Sequence, residues 1–176
     1  RGADSGVRST VDDVNQLVQR IASLNDAIAR AGGGAMALSL QDDQAEAIKS
    51  LSELVDIDVL QNDSGGVDVS FGNGRPLAIG GNAYPVDVTS NAQGFAVLRS
   101  GDSVVTNEIT GGRLAGLLAA RDVAIPDYQG KLDTLAFTLA QEINAQHVAG
   151  YDLNGASGGA FFSAGVLAGA AAALGV

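Results

Sequence analysis

The chain has 176 residues, enough for one domain or two small ones, and a domain near this size buries roughly 68 to 70% of its unfolded surface. Ten basic residues against 20 acidic ones give a net charge of -10 and a pI near 4.2, which excludes the Lys and Arg stripe that nucleic acid or an anionic membrane surface requires. The absence of Cys excludes disulfides, thiolate metal sites and a cysteine nucleophile, while 46% hydrophobic but only 5% aromatic residues call for an aliphatic core.

The first element is a helix. Val7, Val11, Val14, Leu17, Val18, Ile21, Leu24 and Ile28 recur at steps of three and four, so they form one stripe. Asp4 or Ser5 is the expected N-cap, and the run AGGGA from Ala31 to Ala35 supplies glycines suited to a left-handed end. A second helix is expected over SLQDDQAEAIKSLSELV, capped by Ser39 or Asp42, with Leu40, Ala45, Ile48, Leu51, Leu54 and Val55 on its apolar face.

The period then shortens. DIDVLQ from Asp56, GVDVSFG from Gly66, PLAIGG from Pro76 and GFAVLRS from Gly94 alternate or run β-branched between Gly, Asn and Asp clusters, so residues 56–106 read as one small antiparallel meander with NDSGG and GNGRP as turns. Helix returns at GGRLAGLLAARDVAI, with Leu114, Leu117, Leu118 and Val123 on a face. Beyond Pro126 the stripe resumes as Tyr128, Leu132, Leu135, Leu139, Ile143 and Val148, and Gly150 is the expected C-cap. Pro126 either kinks one long helix or opens a second.

These readings give an α+β chain: residues 1–55 and 107–162 as a long-helix bundle, 56–106 as an inserted β meander, and 163–176 as an Ala/Gly tail that starts a following domain. The opening RGADSGVRST lacks the apolar region of a secretory signal, and the tail is too short to span a bilayer.

Few residues invite chemistry. His147 is the single histidine and falls in the last turn of a helix, where a cation suits the negative end of the helix dipole. Asp152, Asn154 and Ser157 superficially resemble a calcium loop without its spaced acids or closing Glu, so a turn closed by Asn-Gly is the better reading. Gly111 and Gly112 precede a helix but lack a phosphate-loop pattern, and the adjacent pairs Asp12 with Asp13 and Asp42 with Asp43 point in diverging directions on their helices. No catalytic, cofactor-binding or metal-binding residue is therefore expected, and no cofactor.

Three stretches together resemble the flagellar hook-associated protein 1 family: VNQLVQRIASLNDAIARAG from Val14, AIKSLSELVDIDVLQNDSGGVDVSFGNGRPLAIGG from Ala47, and the segment Gly111 to Phe162 with its RD…IP…Y pattern and its GYDLNG…FF ending. QDDQAEAI departs from the family pattern, keeping the acids but lacking an arginine. The resemblance implies a trimmed inner portion of a structural subunit, outside the cell on the bacterial flagellum and exported without a cleaved signal. It also implies self-assembly of the full-length protein into the layer joining hook to filament. The implied partners are the hook protein, the second junction protein and an export chaperone, with no nucleic acid, no membrane, and a monomeric state for the trimmed chain. The alternatives are an extracellular binding or adhesin-like module and, behind it, an enzyme.

Overall fold

A computed structural model describes residues 2–32, 34–62, 65–163 and 169–173. Its elements are α1 (Gly2–Ala31), α2 (Ala35–Leu54), β1 (Ile57–Gln61), β2 (Val67–Phe71), β3 (Pro76–Ile79), β4 (Asn82–Ala83), β5 (Asp87–Ser90), β6 (Ala96–Ser100) and β7 (Ser103–Val104). A 3-10 turn at Thr106–Glu108, α3 (Gly112–Ala119), a π-helical turn at Ala120–Ala124, α4 (Ile125–Val148) and the short α5 (Ala170–Ala173) follow. The fold is α+β, as the periodicities require, and the chain forms two compact units, residues 1–121 and 122–176.

In the first unit, α1 buries Val7, Val11, Val14, Val18, Ile21 and Ile28, the stripe anticipated from spacing. Leu51 from α2 and Val55 just after it, Val69, Leu77 and Leu98 from the strands, and Leu114 from α3 complete one core. The strands thus share their core with the helices instead of standing apart as an insert over 56–106, and the unit boundary falls after Arg121. The difference has a simple cause: a small two-sided sheet cannot bury its apolar face without a helix on it.

Other expectations are corrected. The antiparallel meander is divided between two sheets, β1-β2-β3-β4 and β5-β6-β7. Pro85 lies at the break, where it has no N–H to offer a ladder. α2 starts at Ala35 behind Gly34, without a side-chain cap, so Ser39, Asp42 and Asp43 lie inside the helix. Its buried face holds Ala37, Gln44 and Ala47, and Ala45 is exposed.

Pro126 stands in the first turn of α4, directly after the π-helical turn. A proline cannot donate to the carbonyl four residues back, and its ring crowds that carbonyl; a π turn widens the ladder at that place. Of the expected C-terminal face, Leu114 and Leu118 are buried, whereas Val123 and the α4 row are exposed. α4 instead buries Ala136 and Ala140, with Asp133 and Asn144 on the same side. On that side Asp133 accepts the N–H groups of Gly169 and Ala171 at 2.9 and 3.1 Å. Most of the tail, 164–168 and 174–176, lies outside the described residues.

Candidate functional site

The polar groups of the first unit are used to hold backbone. Asp4, expected as a cap, sits inside the first turn of α1 and is nearly buried. Its Oδ1 accepts the Ala96 N–H at 2.7 Å and Arg121 Nη1 at 2.9 Å, and its Oδ2 accepts Arg8 Nε at 3.0 Å. Arg121 also donates to the Ala96 carbonyl and lies over the Phe95 ring. Burial pushes the Asp4 carboxyl up, but the Ala96 N–H and the two guanidinium groups outweigh it and hold the carboxyl below its ordinary value. One carboxylate therefore ties the start of α1 to β6 and to the π-helical turn after α3.

Two asparagines of α1 clamp strands in the same way. Asn15 donates to the Val86 carbonyl and accepts its N–H, at 2.9 and 2.8 Å, replacing the partner that the strand break at Pro85 removes. Asn25 donates to the carbonyls of Val67 and Gly80, both at 2.7 Å, and its Oδ1 accepts the Val67 N–H and the buried Gln44 amide, both at 2.8 Å. Every hydrogen-bonding position of that amide is filled. Asp43, beside Gln44, meets Arg20 at 4.0 Å.

In the second unit Asn144 repeats the device. Its Oδ1 accepts the N–H groups of Phe161 and Phe162 and its Nδ2 donates to the Phe162 carbonyl, all at 2.7 Å. His147 Nδ1 lies 2.6 Å from the Gly159 carbonyl, so that nitrogen carries the proton, and its ring is 5.7 Å from that of Phe161. The histidine fastens a loop to the end of its helix. α4 ends at Val148 with Ala149 in helical conformation, and Gly150 does not adopt the left-handed cap expected of it.

Between them, residues 150–158 form a miniature hairpin. Tyr151 bridges Ser157, the Asp152 N–H donates to the Ala156 carbonyl, and the Gly155 N–H closes the turn on the Asp152 carbonyl. Gly155 has φ 80°, the left-handed value that completes a three-residue loop with a bulge; Gly74 and Gly94 do the same in the sheets. Asp152 Oδ1 accepts the N–H groups of Asn154 and Ala156, both at 2.8 Å. The Ala156 and Asn154 amides hold the carboxyl below the usual carboxylate range, and the Asn154 side chain also turns toward it. Asp152 Oδ1 is thus engaged by the backbone of its own loop. A cavity of about 450 Å³ lies beside the hairpin, lined by Ile143, His147, Tyr151 and Asp152 among others; apart from His147 and Asp152 it offers little that ionises.

The remaining candidates disperse. Gly112 has φ 73°, and a Cβ there would meet the Leu54 carbonyl at 2.5 Å, so the glycine pair lets α3 begin against the end of α2. Asp12, Asp13, Asp42 and Asp43 are all exposed. Among the described residues no three His, Cys, Asp or Glu side chains group as a metal site, and no helix is long and apolar enough to cross a membrane. Asn15, Asn25 and Asn144 were not singled out by the sequence reading, and Asp4 only as a cap. The available signal was polarity in the wrong place: Asn25 follows Ile21 by four and precedes Ile28 by three, so it stands on the apolar stripe.

One surface remains. Ile125, Tyr128, Leu132, Leu135 and Leu139 run along α4 at steps of three and four, and Leu132, Leu135 and Leu139 are 50, 65 and 52% exposed. That spacing is the seam of a coiled coil, here facing solvent.

Helix-borne amides that clamp strands and loops, closed hairpin turns and an exposed apolar seam define a structural α+β domain. The chain belongs to the family described as the flagellar hook-associated protein FlgK helical domain, which matches residues 1–162. It is 29% identical over 170 residues to flagellar hook-associated protein 1 of Escherichia coli (strain K12) and 30% identical over 170 residues to that of Salmonella typhimurium, with 90% of this chain covered in each case. The chain spans 31% of the length of either relative. The structure of the flagellar hook junction protein FlgK from Burkholderia pseudomallei is similar over 93% of this chain and 31% of that one, with a TM-score of 0.74 at 29% identity.

Proposed function

We propose that this chain is the helical-domain part of a subunit that joins the flagellar hook to the filament, working by assembly and not by catalysis. The observation that carries the reading is the family match over residues 1–162 together with the shared fold. The use of polar side chains supports it, since Asp4, Asn25, Asn144 and His147 are committed to backbone partners. The exposed seam of α4 also suits a subunit whose helices pack in a larger structure. In this reading the full-length protein self-assembles into a junction layer between the hook protein and the second junction protein. It reaches the cell exterior through the flagellar export channel, with a chaperone and without a cleaved signal.

Immunogold electron microscopy on intact flagella, with antibody raised against this chain, tests the reading. The expected result is gold in a narrow band where hook meets filament. Label along the whole filament would make the chain a filament subunit, and label elsewhere on the cell surface would replace the junction role with that of a binding module.

A further inference from the structure

Two Asn-Gly pairs occur in the chain, Asn73-Gly74 and Asn154-Gly155. Each sits at the same place in the same kind of loop: the glycine closes the turn by donating to the carbonyl three residues earlier and has φ 82° or 80°. Local sequence and turn geometry are therefore matched, and all four residues are exposed to water. What differs is the anchoring of the asparagine side chain. Asn73 Nδ2 donates to the Glu108 carboxylate and its Oδ1 accepts the Arg75 N–H at 3.2 Å, while Glu108 is itself held by Arg75 at 2.7 Å. Its amide is tied to a segment 35 residues away in the chain. Among the described residues, the Asn154 side chain has the Asp152 carboxylate as its partner, two residues back in the same loop.

We infer that Asn154 is a site of spontaneous covalent modification, by which the amide is converted to a carboxylate through attack of the Gly155 nitrogen, while Asn73 is protected by Glu108. The Gly155 nitrogen gives up its proton to solvent base and forms a bond to Asn154 Cγ, and the Cγ–Nδ2 bond breaks with release of ammonia. Water then opens the resulting cyclic imide at either carbonyl, leaving aspartate or its β-linked isomer. No oxidant or reductant enters. A glycine on the attacking side suits the reaction because no side chain hinders its nitrogen. In the product a second carboxylate stands beside Asp152, and the β-linked isomer also lengthens the backbone of a three-residue loop. Both effects loosen the hairpin that Asp152 holds closed.

At Asn73 the same attack requires the amide to rotate away from Glu108 and the Arg75 N–H first. The Asn154 amide also faces a carboxylate, so the difference lies in the Arg75 N–H that Asn73 Oδ1 accepts and in the grip of Arg75 on Glu108; about 1.4 kcal/mol of extra hold on the amide is tenfold in rate. The inference rests on the two turns alone and is independent of the junction role.

Incubation of the protein in mildly alkaline buffer, with peptide mapping by mass spectrometry over time, reads both sites in one sample. Conversion at Asn154 at least about tenfold faster than at Asn73 is expected. In the Glu108→Ala variant Asn73 should accelerate about tenfold with Asn154 unchanged, and Asn154→Gln should remove the faster conversion altogether. Equal rates at the two sites, faster conversion at Asn73, or an Asn73 rate that ignores the loss of Glu108 would each overturn the inference.

Discussion

The Asp4–Arg121 pair is the interaction whose loss the first unit should feel most. Their side chains are 12% and 7% exposed, so removal of Arg121 leaves the Asp4 carboxylate with the Arg8 guanidinium and the Ala96 N–H as its partners in a site that water barely reaches. Arg121→Leu should destabilise the unit by roughly 3 kcal/mol, read as a shift in the chemical denaturation midpoint. The sign of the pH dependence follows from the lowered Asp4 carboxyl: its contribution is complete above the ordinary carboxylate value and is lost as pH falls through the lowered folded value. Melting temperatures of wild type and Asp4→Asn, compared from neutral to acid pH, should therefore start apart and converge. The same ledger has an opposite case. Thr10 Oγ1 is buried without a hydrogen-bond partner, and Thr10→Val keeps the shape while removing the hydroxyl; it should raise stability by about 1 kcal/mol in the same denaturation assay. Little of this was legible in the sequence. Asp4 looked like a cap because caps are recognised by neighbours in the chain, whereas beyond Arg8 its partners lie at Ala96 and Arg121.

At the scale of elements, the long stripes were readable and the joints were not. α1 followed from period alone because a solvent-facing helix with one buried side imposes that pattern over many turns. β4, β5 and β7 are too short to carry a period, at two to four residues each, and the division into two sheets depends on Pro85 and on what replaces the missing ladder bond. The replacement is Asn15, as Asn25 is for the Val67 and Gly80 backbone. A clamp of this kind predicts a specific asymmetry. Asn25→Asp puts a carboxylate oxygen where the amide donated to two carbonyls, and should cost more than Asn25→Ala, by about 1 kcal/mol or more beyond the loss of the hydrogen bonds themselves. Thermal unfolding of both variants checks the order. If the two cost the same, the amide donors at Asn25 hold nothing that matters to the fold.

For the molecule as a whole, the sequence suggested that the α4 row would face a bundle core, from the same spacing that placed the α1 stripe correctly. Periodicity reports that a face is apolar; it does not report what covers it. α4 satisfies its own unit through Ala136, Ala140, Asp133 and Asn144 and leaves Leu132, Leu135 and Leu139 in water. A residue already exposed in the folded chain contributes little to its stability, so stability and assembly separate at this surface. Leu132→Glu with Leu135→Glu should leave the denaturation midpoint of the 176-residue chain nearly unchanged, within about 0.5 kcal/mol. Carried in the full-length protein, the same pair of substitutions should abolish the gold band at the hook–filament junction, because a charged seam cannot be buried between helices without a large desolvation cost. Unchanged labelling would mean that the row stays exposed in the assembled flagellum and that the junction is built through another face. A large loss of stability in the isolated chain would mean instead that α4 already uses this face within its own fold. The two readouts fail in different ways, so they tell an assembly seam from a folding one.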